Sequence, residues 1–134
     1  MWTYEQTTGR MIDGYGEIVG TGYSGAGEGK NNPAMQNVHN VGPCPAGEYV
    51  MKEVIDSPEH GPFAIVLVPK PGTEMYGRSG FLCHGDSLAH PGAASEGCII
   101  QTYPTRVKMW DSPDHDLQVI ANAGSVYESP LEKT

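Results

Sequence analysis

The residues of this 134-residue chain best suited to covalent chemistry lie between Phe81 and Ile100. His84-Gly85 is followed by a loop and then by Ser95-Glu96-Gly97-Cys98, with Cys98 fourteen residues after His84. A free thiol titrates near pH 8.5, so only a few per cent is thiolate at neutral pH unless a base or cation stands beside it. His84, at the end of a strand and beside the loop that carries Cys98, can be that base. Gly97 permits a sharp turn that exposes the sulfur and aims backbone N–H groups at a developing oxyanion. The chain holds three cysteines, Cys44, Cys83 and Cys98. Their odd number and the absence of a close Cys-x-x-Cys pair argue against a disulfide framework and against a four-cysteine zinc site. Cys44, between two prolines, and Cys83, inside a strand, read as structural, which leaves Cys98 as the candidate nucleophile.

These side chains need strands to hold them. Trp2–Thr8 alternates aromatic and polar residues and reads as a strand, with Gly9 as a turn and a return through Met11. Gly16–Thr21 reads as another strand, and the glycine- and asparagine-rich stretch from Gly22 to Pro33 as a loop. A turn over Gly42–Gly47 leads into a strand at Glu48–Val54. Phe63–Val68 is a continuous apolar run between Pro62 and Pro71-Gly72 and is expected as a buried central strand. Gly80–His84 is the strand that delivers the histidine, and Gly97–Gln101 opens the apolar run that follows the cysteine. Pro104–Met109 is expected as one short helix, with proline in its first turn, and Leu117–Ala121 as a closing strand. The expected architecture is one mainly β domain over residues 1–134 with a single short helix.

Composition narrows the function further. Apolar residues make up 38% of the chain while Gly 18 and Pro 11 are high, the balance of a loop-rich β protein. The net charge is −8 without any run of Lys and Arg, so a phosphate-tracking surface for nucleic acid is not expected. No segment approaches the roughly 18 apolar residues of a membrane span. The N-terminus shows neither the charged nor the apolar region of a Sec-type leader, so delivery to a cell wall would need another export route.

Taken together, His84-Gly85 and Ser95-x-Gly97-Cys98 followed by Ile99-Ile100 resemble the catalytic motif of the L,D-transpeptidases. The chain is more closely similar to the small type VI secretion effector branch, antibacterial L,D-transpeptidase and carboxypeptidase toxins. That branch also carries the pattern seen here as Ser24-Gly25, Asn31-Asn32-Pro33 and Gly42-Pro-Cys-Pro-Ala-Gly-Glu-Tyr49. The resemblance implies an L,D-transpeptidase-like β-sandwich or barrel. It implies Cys98 as nucleophile, His84 as general base, a backbone carbonyl near Gly85 that orients the imidazole, and Ser95, Gly97 and the Cys98 amide shaping the turn and oxyanion hole. It implies peptidoglycan stem peptides as substrate, no cofactor, a cognate immunity protein and secretion machinery as partners, and export by a dedicated secretion system or a phage to the target periplasm. Many L,D-transpeptidases have a second histidine directly before Gly-Cys, where this chain has Glu96.

Other residues are candidates for holding substrate. Arg78 could bind a stem-peptide carboxylate through its planar fork. Asp86 could bond near His84 or cap its turn, and Tyr23 and Asn32 could line the cleft. A zinc site from Cys83, His84, His90 and Cys98 is disfavoured because neighbouring strand residues point to opposite faces. A wall-binding module without turnover is the remaining alternative, and an NlpC/P60-type amidase is excluded by its reversed Cys-before-His order.

Overall fold

Trp2-Thr-Tyr-Glu begins a nine-stranded sheet in the computed structural model, which describes residues 1–122. In chain order the strands are β1 (Trp2–Glu5), β2 (Arg10–Ile12), β3 (Ile18–Thr21), β4 (Tyr23–Ser24), β5 (Gly47–Ser57), β6 (Gly61–Pro69), β7 (Leu82–His84), β8 (Ile99–Ile100) and β9 (Asp116–Ile120). One α-helix, α1 (Tyr103–Asp111), lies between β8 and β9. The expected mainly β architecture with a single helix is therefore observed, and all the strands belong to one sheet.

Across the sheet the order is β3-β2-β1-β9-β5-β6-β7-β8-β4. Its two edge strands, β3 and β4, are consecutive in the chain with only Gly22 between them. A sheet whose opposite edges are one residue apart must curl back on itself, and Gly22 is the seam. Its N–H donates to Gly9 O at 2.8 Å, and the Gln101 amide donates to the same carbonyl at 2.9 Å. A Cβ on Gly22 would lie 1.6 Å from Ile100 O, and one on Gly9 would lie 1.8 Å from Gly22 O. Backbone meets backbone here at a distance that only glycine allows.

Inside the curl, the alternation of each strand supplies the core. Tyr4, Met11, Tyr49, Met51, Ile65 and Leu117 are all buried, and Met109 of α1 packs among them. The β5–β6 hairpin is longer than the sequence pattern implied, running from Gly47 to Pro69. In the other direction, the expected strands at Trp2–Thr8 and Gly80–His84 are shorter, because Gly9 bonds back to Glu5 and Gly80 takes a left-handed φ of 77°. The stretch from Gly22 to Pro33 is only partly loop: it includes β4 and two 3-10 turns, Gly27–Gly29 and Pro33–Met35. The two residues of β4 escape detection because their partner, β8, lies some 75 residues away in sequence.

For the site, the relevant piece is the parallel pair β7–β8, with Cys83 opposite Ile99 and His84 opposite Ile100. Parallel strands need a crossover, and here it is the loop that starts at Gly85 and ends at Cys98. The seam makes one clear prediction. Gly22→Ala is expected to lower the unfolding free energy by about 3 kcal/mol or more, because the clash is with a backbone carbonyl that cannot rotate away. Gly14→Ala, whose Cβ would meet nothing closer than 3.6 Å, should stay within about 0.5 kcal/mol in the same urea titration.

Candidate active site

The β7–β8 register decides which side chains face one another. Cys83 and Ile99 point into the core and are fully buried, whereas His84, one residue on, turns to the other face. Cys98 directly precedes Ile99 and shares the face of His84. Both line a cleft of about 890 Å³, whose walls include His60, Phe81 and Glu96. Cys98 is half-buried, while Cys44 and Cys83 are wholly enclosed.

His84 is 2% exposed, and its Nδ1 lies 2.8 Å from Gly85 O. A carbonyl only accepts, so Nδ1 carries the hydrogen and Nε2 carries the lone pair. Nε2 is buried and has no hydrogen-bond partner among the described residues. The His60 ring stacks on that of His84, with centroids 4.4 Å apart and planes inclined by 29°. Burial above all pushes the His84 pKa below its ordinary value; the Gly85 hydrogen bond opposes this, and His60 and Arg106 add to it. Burial also raises the Cys98 thiol, assisted by Glu96 and opposed by the Leu82 N–H, which donates to Sγ at 3.4 Å, and by Arg78. The resting pair is thus a neutral thiol and a neutral imidazole.

The turn before Cys98 is held by groups distant in sequence. Ser95 Oγ accepts from Gly97 N at 3.0 Å and from Gly25 N at 2.9 Å, and donates to Cys98 O at 2.6 Å, which uses every bond a hydroxyl can make. Ser24 Oγ donates to Gly97 O at 2.9 Å and accepts from Cys44 N at 2.8 Å. The Ser24-Gly25 and Gly42–Tyr49 motifs therefore brace the cysteine turn. Gly97 has a φ of 147°, and a Cβ there would stand 2.4 Å from Arg78 Nη2.

Three of the residues expected to hold substrate are engaged with the protein itself. Arg78 lines the cleft but does not present an open fork. Its Nη1 donates to Gln36 O at 2.6 Å and Pro43 O at 2.8 Å, and its Nη2 to Gly42 O at 2.9 Å and Glu96 O at 3.3 Å. It clasps the Gly42–Pro43 loop to the cysteine turn. Tyr23 lies outside the cleft walls; its hydroxyl donates to Asp86 Oδ1 at 2.6 Å and accepts from Ala94 N at 2.9 Å. Burial, then the bond to Asp86, lifts this phenol to about 12. Asn32 also lies away from the cleft. Its Oδ1 accepts from Ala34 N at 3.1 Å and its Nδ2 donates to Glu28 O at 3.1 Å, so it caps the Pro33–Met35 turn.

Asp86 borders the cleft, but its carboxylate accepts from Tyr23, Ser87 N and Gly92 N rather than from His84. Partial burial acts to raise its pKa, yet those bonds and the Lys30 charge hold it below the ordinary carboxylate value. Lys30 itself sits over the Tyr23 ring and donates to Gly92 O. Tyr23, Asp86 and Lys30 together fasten the crossover loop. Among the described residues no three His, Cys, Asp or Glu side chains converge as a metal ion would need. Two cleft residues, His60 and Arg106, were not singled out by sequence reasoning. Nothing local marks either; each reaches the site from another element, the β5–β6 turn and α1.

Comparison with known families adds one match. The family model described as the Tlde1 domain covers residues 19–123, a span that includes Ser24, the Gly42–Tyr49 motif, His84 and Cys98. No curated protein and no solved structure matches the chain.

Two measurements test this geometry. Iodoacetamide should modify Cys98 alone in the folded protein, because burial pushes both Cys44 and Cys83 up to about 12. The half-maximal pH of that reaction should lie above that of a free thiol and should fall in Glu96→Gln, which removes a charge that raises the Cys98 pKa. Arg78→Lys should cost about 2 kcal/mol of stability in denaturant titration, since an ammonium cannot satisfy four carbonyls set around a planar fork.

Proposed function

The chain belongs to the Tlde1 domain family of type VI secretion effectors, of the L,D-transpeptidase type, and from that premise we propose that it is an antibacterial enzyme acting on peptidoglycan stem peptides. The bond cleaved is the one between the third residue and the terminal D-alanine of a tetrapeptide. The observation that carries this reading is the state of His84: Nδ1 is tied to the Gly85 carbonyl, Nε2 has no partner among the described residues, and His84 and Cys98 line the same cleft.

In the proposed reaction, Nε2 takes the Cys98 proton and the sulfur attacks the carbonyl carbon of the third residue. The Gly97 N–H is already engaged by Ser95, so the Cys98 N–H is the turn's donor for the oxyanion. Collapse breaks the C–N bond, Nε2–H returns its proton to the departing D-alanine amine, and a thioester remains on Cys98. Water then releases a tripeptide, which is carboxypeptidase chemistry. An amine acceptor would instead form a 3–3 cross-link or exchange the terminal residue. A neutral pair suits this scheme, because the base removes the proton only as the carbon–sulfur bond forms. Glu96 stands where many L,D-transpeptidases place a histidine, and a carboxylate cannot act as the cationic donor that such a histidine would supply. The reading brings with it secretion machinery and a cognate immunity protein as partners, and the target periplasm as the place of action.

Incubation of purified disaccharide-tetrapeptide with the protein, followed by mass analysis, should show the loss of one alanine. Cys98→Ala should abolish the loss, and His84→Ala should slow it by about 10²- to 10⁴-fold. An unchanged muropeptide profile with folded wild-type protein would overturn the assignment.

A further inference from the structure

Two buried arginines line the cleft, and their donors are treated very differently. Arg78 has four carbonyls around its two terminal nitrogens. Arg106, projecting from α1, is 5% exposed and has a single hydrogen bond, a long one from Nη1 to Phe63 O at 3.4 Å. Among the described residues its Nε is buried with no partner, and none of their groups accepts from Nη2. Among the described residues, the ion pairs involve Met1, His60 and Lys70, and none involves Arg106. The Tyr103 ring, 5.7 Å from the guanidinium carbon, adds only a weak attraction to its cation.

A buried guanidinium without a counter-charge is costly, and an unsatisfied buried donor needs a physical reason. Here the unmatched donors are Nε and Nη2, which form the side-on edge of the guanidinium. That edge carries two parallel N–H bonds, the geometry that matches both oxygens of a carboxylate. Nε is closed to solvent as the site stands, so a carboxylate meets Nη2 first and reaches Nε as the site adjusts around it. Gly85 is built around the same group. A Cβ at Gly85 would lie 3.1, 3.5 and 3.5 Å from Nη2, Cζ and Nη1, so it would stand over the guanidinium plane. Glycine in the His-Gly pair thus lets the plane lie against the backbone beside His84.

We infer that Arg106 is the receptor for a carboxylate of the stem peptide, held beside His84 so that the scissile carbonyl reaches Cys98. The inference rests on the stem-peptide reading given above. A tetrapeptide offers carboxylates on its second residue, on the side chain of its third and at its terminal D-alanine, and all three share the chemistry that the fork recognises.

The test is binding to Cys98→Ala protein, which cannot turn over, measured by calorimetry. The probes are the free tetrapeptide and three derivatives, each with one carboxylate amidated. One of the amides should bind at least about tenfold more weakly than the free acid, and its identity names the carboxylate held. In the Cys98→Ala, Arg106→Gln protein, the acid and that amide should bind alike. Equal binding of the acid and all three amides, a penalty that persists undiminished without Arg106, or no binding of the acid would each overturn the inference. If Arg106→Gln fails to fold, Arg106→Lys serves, because it keeps the charge but loses the fork; a discrimination between acid and amide as large as that with arginine would overturn the inference. Because the readout is binding, a failure of wild-type cleavage leaves this result standing, and a failure of carboxylate discrimination leaves the cleavage assay standing.

Discussion

The site depends on one buried guanidinium. Arg78 holds Gln36, Gly42 and Pro43 on one side and Glu96 on the other, through their backbone carbonyls. Its four bonds convert two irregular segments into one rigid body. The second of those segments ends at Cys98, so the position of the sulfur follows from a charge buried against the turn that carries it. Ser24 and Ser95 complete the frame by bonding Gly97 O and Gly97 N respectively. A cation surrounded only by carbonyls is stabilised by charge-assisted bonds without any acid beside it. The arrangement also keeps a carboxylate away from the thiol, apart from Glu96 at the rim.

The two glycines of the motif answer to two arginines. A side chain at Gly97 would strike Arg78, and one at Gly85 would press on Arg106. Sequence reasoning assigned Gly97 to turn flexibility, and its φ of 147° agrees with that. The closer constraint is steric, because Arg78 Nη2 occupies the space that a Cβ would need. Burial around these groups also sets the protonation of the candidate pair. It favours the uncharged forms of both Cys98 and His84, and the carbonyl of Gly85 decides which nitrogen of the neutral imidazole carries its hydrogen.

Much of the fold was legible because strand patterning is local. The runs at Trp2–Glu5, Phe63–Val68 and Leu117–Ile120 alternate or bury in ways that side-chain chemistry alone dictates. The strand at Tyr23–Ser24 was not legible, since two residues carry no periodicity and their pairing with Ile99–Ile100 is long-range. Closure of the sheet at Gly22 was hidden for the same reason: it depends on which strands become edges.

What the sequence determined by itself was the candidate pair: a histidine before a glycine, a cysteine after one, and strand ends to hold both. Residue type and spacing suffice for that, because thiol, imidazole and turn are local properties. Only the tertiary structure decided what the remaining polar residues do. Asn32 caps a turn and Tyr23 fastens a loop. Of the two arginines, one has both terminal nitrogens filled by carbonyls while the other, among the described residues, has a buried Nε without a partner. Whether a donor is satisfied depends on carbonyls brought from distant parts of the chain, and no spacing along the sequence encodes that.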